Sequence, residues 1–281
     1  MFDPEETGPE DGLSDIAYLA RSANRVEILA TLTTEPHTPR DVEAATGVSR
    51  STLERILSEL EERGWAERAT AGGYTATAAG EYAVAEFAPL VESMATLRTL
   101  GDAVDWLPRE ELSIGLHHFS DATVRTPASN SVTAPAAYMT KLLGDATEFA
   151  CLVRIAPPIG FEITMRDRAV GGQLTTDHVI TADELAYIAE QPERVRRWQE
   201  YLETDVDVYC YDGDVPCNLF VIDETVLVVD REPEVCAFIE SENETVREWA
   251  HDVIRTYRTE ADRLQPDAFR VTEPVAAERT P

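Results

Sequence analysis

Two arginines, Arg50 and Arg55, lie in a segment whose apolar residues recur at helical spacing. Leu53, Ile56, Leu57 and Leu60 make one stripe of that helix, which turns Arg50, Ser51, Glu54, Arg55 and Ser58 to the opposite side. A guanidinium is a rigid planar fork that pairs bidentately with the O6 and N7 edge of guanine or grips a phosphate. Ser49, Ser51 and Thr52 add short hydroxyls at the helix start, where backbone amides also favour phosphate. Thr38 opens the preceding helix, and Arg68 and Tyr74 flank a downstream turn from which side chains can reach an adjacent backbone or the minor groove. The chemistry predicted for Thr38, Ser49, Arg50, Ser51, Thr52, Arg55, Arg68 and Tyr74 is contact with double-stranded DNA.

Other reactive residues point nowhere so specific. Cys210 and Cys217 flank Tyr211-Asp-Gly-Asp-Val-Pro216; if that segment turns between strands the sulfurs are neighbours, as a redox pair or a soft-metal site requires. The alternative is two small apolar strand residues, since free cysteine is usually buried. Adjacent side chains tend to diverge, which makes His117 and His118 a poor chelating pair. The chain has no phosphate-binding glycine loop, no Gly-x-Ser-x-Gly elbow and no His-Glu-x-x-His. No carboxylate pair stands out from 53 acids. The expectation is a protein without catalytic residues, metal or cofactor, its ligand-binding residues unknown.

Several elements must hold the arginines in place. Residues 1–13 carry five acids, two Pro and two Gly, and read as a disordered tail. A helix is predicted from Ser14 to before Pro36, with Ile16, Leu19, Ala23, Val26 and Leu29 inward. The next starts at Thr38, an N-cap followed by Pro39, with Asp41 at the capping-box position and Val42 and Ala45 inward. Gly47 ends it in a left-handed cap, and Ser49 caps the arginine helix, which stops at Gly64. Two short strands around Ala71-Gly72-Gly73 make a hairpin. Helix, tight turn, exposed helix and hairpin are the parts of a winged helix-turn-helix. Residues 78–104 read as a long helix whose Phe87, Leu90, Met94, Leu97, Gly101 and Val104 step by three and four, the seam of a dimer.

Beyond Pro108 the pattern mixes both structure types. Residues 117–135 read as an irregular loop. Strands are expected at Glu148–Ile155, Phe161–Met165, Val206–Tyr211, Cys217–Ile222 and Val226–Val229, the last two joined by a tight hairpin. Helices are expected at Asp183–Glu190 and Pro192–Leu202, and after a capping box at Ser241-Glu-Asn-Glu244. Residues from 266 onward read as a tail.

The chain carries a formal charge of −29 with a single lysine, Lys141. Residues 14–77 come to −3, residues 78–281 to −21 and residues 1–13 to −5. The near-balanced segment is the one placed for a polyanion, inside an acidic protein of the kind salt-accumulating microbes make. No apolar stretch approaches the roughly 18 residues of a membrane span, and the acidic start is not a signal peptide. A water-soluble cytoplasmic protein is therefore expected.

Thr38 to Trp65, with its TGVSRSTLERILSELEERGW core, resembles the helix-turn-helix of archaeal regulators. Leu107-Pro-Arg-Glu-Glu-Leu, His178-Val-Ile-Thr-Ala-Asp-Glu-Leu, Asn218-Leu-Phe-Val-Ile-Asp and Arg247-Glu-Trp-Ala-His-Asp-Val-Ile-Arg-Thr-Tyr-Arg resemble the effector domain of the methanogenesis regulatory protein family. Together they cover about residues 14–264. The resemblance implies archaeal transcription regulation, but neither a methane-gene target nor a ligand. The expected fold class is α+β. Its parts are an acidic tail (1–13), a winged helix-turn-helix (14–77), a linker and dimerisation helix (78–107), an α/β effector domain (108–266) and a tail (267–281). The expected partners are DNA, a second copy and a small-molecule effector, with ligand, redox state or partner as the signal. The alternative is a protein-interaction module that uses a winged helix without DNA.

Overall fold

The computed structural model describes residues 8–70, 72–129, 131–230, 236–265 and 267–268. It is an α+β chain in two compact units, Met1–Met94 and Ala95–Pro281. Among the described residues no helix is long and apolar enough to cross a membrane.

The first unit begins with α1 (Pro9–Ala20) and α2 (Ala23–Leu32). The single helix expected from Ser14 is thus two helices, and the first starts inside the stretch expected to be disordered. Ser22 is extended between them (φ −159°, ψ 122°). The break lets Tyr18 and Leu19 join Ile28, Leu29 and Leu32 in one core. Then come α3 (Pro39–Thr46), α4 (Arg50–Glu62), the antiparallel pair β1 (Ala66–Arg68) and β2 (Tyr74–Ala76), and α5 (Ala78–Leu100). Val42 is buried, but Ala45 is exposed rather than inward. Gly101 (φ 53°) ends α5, and Gly101–Trp106 winds on as a 3-10 helix.

The second unit is one eight-stranded sheet with helices on both faces. Its elements are β3 (Thr123–Arg125), α6 (Ala134–Asp145), β4 (Glu148–Val153), α7 (Ile159–Val170), β5 (Thr175–Thr181), α8 (Ala182–Ala189), α9 (Pro192–Leu202), β6 (Asp207–Tyr211), β7 (Asn218–Ile222), β8 (Thr225–Val229), β9 (Phe238–Ser241), α10 (Glu244–Thr259) and β10 (Asp262–Arg263). The strand order is β10-β6-β5-β4-β7-β8-β9-β3. The β4, β5 and β6 strands are parallel and every other pair is antiparallel. One face buries Met139, Phe161, Met165, Val195 and Trp198. The other buries Val246, Trp249, Val253 and Ile254 of α10. Trp249 Nε1 donates to the Glu111 carbonyl at 2.8 Å, and the Tyr257 hydroxyl donates to its carboxylate at 3.1 Å. These two bonds tie the Pro108–Leu112 stretch to α10.

Several expectations change here. Phe161–Met165 lies in a helix, because Phe161, Met165 and Ala169, four apart, share the buried side. Residues 117–135 are not all loop: β3 closes the sheet edge against β9. The cap of α10 is Asn243, which accepts from the amides of Thr245 and Val246. Ser241 instead donates to Asp121 at 2.8 Å. Cys210 is on β6 and Cys217 immediately precedes β7, with β5 and β4 between the two strands. Three strand steps are roughly 14 Å, so the two thiols are not a pair. The His117 and His118 rings, expected to diverge, lie 4.0 Å apart in a 3-10 turn. Among the described residues no cluster of three or more His, Cys, Asp or Glu is arranged to hold a metal ion.

Candidate nucleic-acid interface

The turn between α3 and α4 is built as its residues require. The Thr38 side chain accepts from the Asp41 amide, and Asp41 accepts from the Thr38 amide at 2.9 Å, a complete capping box. That hydrogen bonding, led by the Thr38 hydroxyl, holds the Asp41 carboxyl below its ordinary range. Gly47 takes the left-handed conformation (φ 67°) that reverses the chain in so few residues. The amide of Leu53 bonds the Ser49 carbonyl at 2.9 Å, but the Ser49 hydroxyl does not cap; it donates to Thr52 at 3.1 Å.

Leu53, Ile56, Leu57 and Leu60 are buried, so one face of α4 is fixed to the core. Arg50, Ser51, Glu54, Arg55 and Ser58 are exposed on the other, and Thr52 is half-buried between them. Both arginines are held along their own helix. Arg50 Nε lies 2.9 Å from Glu54, and Arg55 Nη1 lies 2.6 Å from Glu59. Glu59 also receives Arg25 at 3.1 Å from α2. Burial pushes the Glu59 carboxyl up, but Arg55, Tyr18 and Arg25 outweigh it and keep it below its usual range. Burial, then Glu59, pushes the Tyr18 hydroxyl up to about 12. Glu59 is therefore a structural anion that ties α4 to the helices behind it, whereas Glu54 is exposed and faces outward with Arg50.

In the wing, Arg68 is exposed, 4.9 Å over the Tyr74 ring and 3.7 Å from Glu61. Tyr74 is 8% exposed and packs in the core, so its ring is a scaffold for Arg68 and does not reach outward as expected. Its backbone exchanges two hydrogen bonds with His37, 2.9 and 2.8 Å, which dock the hairpin on the start of α3. Gly73 permits this approach: a Cβ there would stand 2.5 Å from the His37 carbonyl oxygen, at φ 91°.

Thr38, Ser49, Arg50, Ser51, Arg55 and Arg68 thus lie on exposed parts of the turn, α4 and the wing, with Thr52 beside them. The sequence reading missed Arg40. It is exposed in the first turn of α3, next to Thr38, and makes no ion pair among the described residues. Its only signal in the sequence is its place two residues after the cap.

Residues 13–99 match the family model of the HVO_A0261 N-terminal domain. Residues 132–260 match that of the middle domain of methanogenesis regulatory protein FilR1. No functionally curated protein matches the chain. Among solved structures, TrmBL2, an archaeal chromatin protein with a novel mode of DNA binding, is 12% identical, with 89% of this chain and 98% of that one covered at a TM-score of 0.40. A phospholipase D family member, Nuc from Salmonella typhimurium, is 9% identical and covers 51% of this chain and 99% of its own at 0.40. NucT from Helicobacter pylori is 8% identical, with 51% and 98% covered at 0.38. Structural likenesses at these scores say nothing of this chain's chemistry. The chain thus joins a head similar to the HVO_A0261 N-terminal domain to a segment similar to the middle domain of a regulatory protein, FilR1.

Proposed function

We propose that the chain is a sequence-specific, DNA-binding transcription regulator of the cytoplasm, acting as a homodimer whose second unit senses a signal and changes the affinity of the head. The observation that carries this reading is α4: pinned by four buried residues, it presents Arg50 and Arg55 on a free face, with a positioned wing beside it. Arg50, Arg55, Ser51 and Thr52 meet base edges and phosphate in the major groove. Thr38, Arg40 and Ser49 meet the backbone at the turn, and Arg68 follows the wing. On docking Arg50 leaves Glu54 for DNA, and because an exposed ion pair contributes little its release costs little. Glu59 gives up Arg55 but keeps Arg25.

Dimerisation rests on α5 and α1. Leu90, Val91 and Met94 of α5 are 42%, 50% and 54% exposed, and Tyr82 is 73% exposed. With Ile16 of α1 they form an apolar face on the first unit, beside a groove that Phe87 and Leu90 line. A second copy of the same face covers it with two-fold symmetry, so operators are partly palindromic, with half-sites about one helical turn apart. The signal is read as a ligand; Cys210 and Cys217, three strands apart, do not make a redox pair.

Chromatin immunoprecipitation with sequencing, followed by gel shifts on the enriched fragments, tests the reading. A shared partial palindrome bound at nanomolar protein supports it. Uniform binding to unrelated fragments, or none, overturns it.

A further inference from the structure

In an open sheet of parallel strands, ligands lie beyond the carboxyl ends of the strands. In the second unit the ends of β4 and β5, with the start of β7 and the end of β8, border a cavity of about 650 Å³. That volume suits a small organic molecule. Its walls are mostly apolar: Met139, Ile155, Ile159, Phe220 and Val229.

Two polar features of the cavity have unsatisfied atoms, one an acid and the other a set of donors. The first is Glu184, in the first turn of α8. It is 3% exposed, and its Oε1 has no hydrogen-bond partner. The nearest cation is Arg194, at 3.9 Å, but Arg194 lies closer to Glu162, at 3.3 Å. Burial pushes the Glu184 carboxyl up to about 8. The Ala156 backbone donates to the carboxyl, but Oε1 is left bare; a buried bare oxygen is costly, and a donor from a ligand relieves the cost.

The second feature is the start of α7. An α-helix leaves its first amides without partners in the helix and with partial positive charge. At α8 the side chain of Thr181 caps them. At α7 the N-cap, Pro158, provides no side-chain cap and borders the cavity, whereas at α6 the Ala134 amide already bonds the Ser131 carbonyl and Pro135 has no amide hydrogen. Of the two arginines of the lining, Arg154 pairs with Asp214 at 3.2 Å, while Arg194 lies 3.3 Å from Glu162 with its Nη1 left without a hydrogen-bond partner. The open donors are therefore the first amides of α7, with Arg194 Nη1 beside them.

From this juxtaposition we infer that the cavity binds a free apolar α-amino acid. Its ammonium meets Glu184, its carboxylate meets the uncapped first turn of α7 at Ile159 and Gly160, and its side chain lies against Met139 and Phe220. A carboxylic acid alone leaves Glu184 unpaired, and an amine alone leaves the amides bare. A polyol wastes the apolar wall. The inference rests on the ligand-sensing reading of the second unit.

The test is calorimetry on the full chain in concentrated KCl without DNA, so that its failure leaves DNA binding standing. Leucine, isoleucine, methionine and phenylalanine are titrated one at a time. For the one that binds best, the decarboxylated amine and the deaminated acid follow; for leucine these are 3-methylbutylamine and 4-methylpentanoate. The expected result is one site per chain and at least tenfold weaker binding of both halves. Glu184→Gln, isosteric and neutral, weakens the amino acid at least tenfold and brings it down to the level of the deaminated acid. No heat from any amino acid at millimolar concentration overturns the inference. So does equal binding of either half to the wild-type chain, a comparison that holds even if the variant folds poorly.

Discussion

His178 sits in the middle of β5, 1% exposed, and neither ring nitrogen has a hydrogen-bond partner. The rings of Phe149, Trp198 and Tyr201 surround it, with centroids 5.8, 5.1 and 6.1 Å away. Burial alone pushes its pKa down to about 3. The folded chain thus holds a neutral imidazole, while the unfolded chain takes up a proton near pH 6.5. Stability from this group is complete above about pH 6.5 and is lost as the pH falls toward 3, by about 1.4 kcal/mol per pH unit. From pH 6.5 to 5.0 the loss is about 2 kcal/mol. Glu184 acts in the opposite sense. Its carboxyl, raised to about 8, contributes stability that is complete below the ordinary carboxylate range and lost as the pH rises toward 8. The two slopes oppose each other between about pH 4.3 and 6.5, so the wild-type profile alone hides both. Replacement of His178 by Leu, close to it in volume, isolates one of them. Urea unfolding of both proteins at a fixed high KCl concentration gives the difference. At pH 7.5 the variant should match or exceed the wild type, since it removes two unsatisfied polar atoms from the core. Between pH 6.5 and 5.0 it should gain about 2 kcal/mol on the wild type. Parallel profiles through that window would refute the argument, because they would mean that His178 is protonated in the folded chain or that β5 is open to water.

Four further outcomes follow from the head. Arg50→Ala and Arg55→Ala should each weaken operator binding by roughly 5- to 150-fold, as loss of one base contact does, with an unchanged melting temperature since neither is buried; unaltered affinity in both removes α4 from the interface. Leu90→Glu combined with Leu97→Glu should yield monomers that bind DNA weakly, and light scattering that finds the wild type monomeric at micromolar concentration defeats the dimer. Gly73→Ala should destabilise the head by at least about 1–3 kcal/mol, seen in thermal melting, because the wing's approach to His37 leaves no room for a Cβ and its φ of 91° is strained for any other residue. Operator affinity should persist to about 2 M KCl with a shallow salt dependence, since a screening length of roughly 3 Å at 1 M removes long-range repulsion from the acidic surface but spares short Arg–phosphate contacts; a steep monotonic loss in a folded protein shows that the acidity plays no part.

What the sequence discloses follows the range of the interactions involved. The turn from Thr38 to Leu60 is local: a cap, a left-handed glycine and a leucine stripe act within one or two helical turns, and each is found where its residue type puts it. The break at Ser22 is not local in that sense. No proline or glycine marks it, and it exists because Tyr18 and Leu19 reach the same core as Ile28 and Leu29. Tyr74 is misread for the same reason. An aromatic on a hairpin is as suited to a groove as to a core, and only the two hydrogen bonds to His37, far off in sequence, turn it inward.

In the second unit the ambiguity is of period. Phe161 to Met165 is a short apolar run that either structure accommodates, and the helix wins because its partners on α6 and α9 lie on one side. The β3 strand is three residues of a polar stretch and is held by β9, more than a hundred positions later. The candidate cavity was illegible altogether. Glu184 is one acid among 53, and nothing in its neighbours distinguishes it from a solvated one. It becomes distinct only when β4, β5, α7 and α8 converge, bury its carboxyl and leave one oxygen unpaired. The proposed DNA contact is legible in one short segment because a helix in a groove needs only one face. The proposed small-molecule site is assembled from strand ends and helix starts scattered over about a hundred residues, so only the fold brings it together.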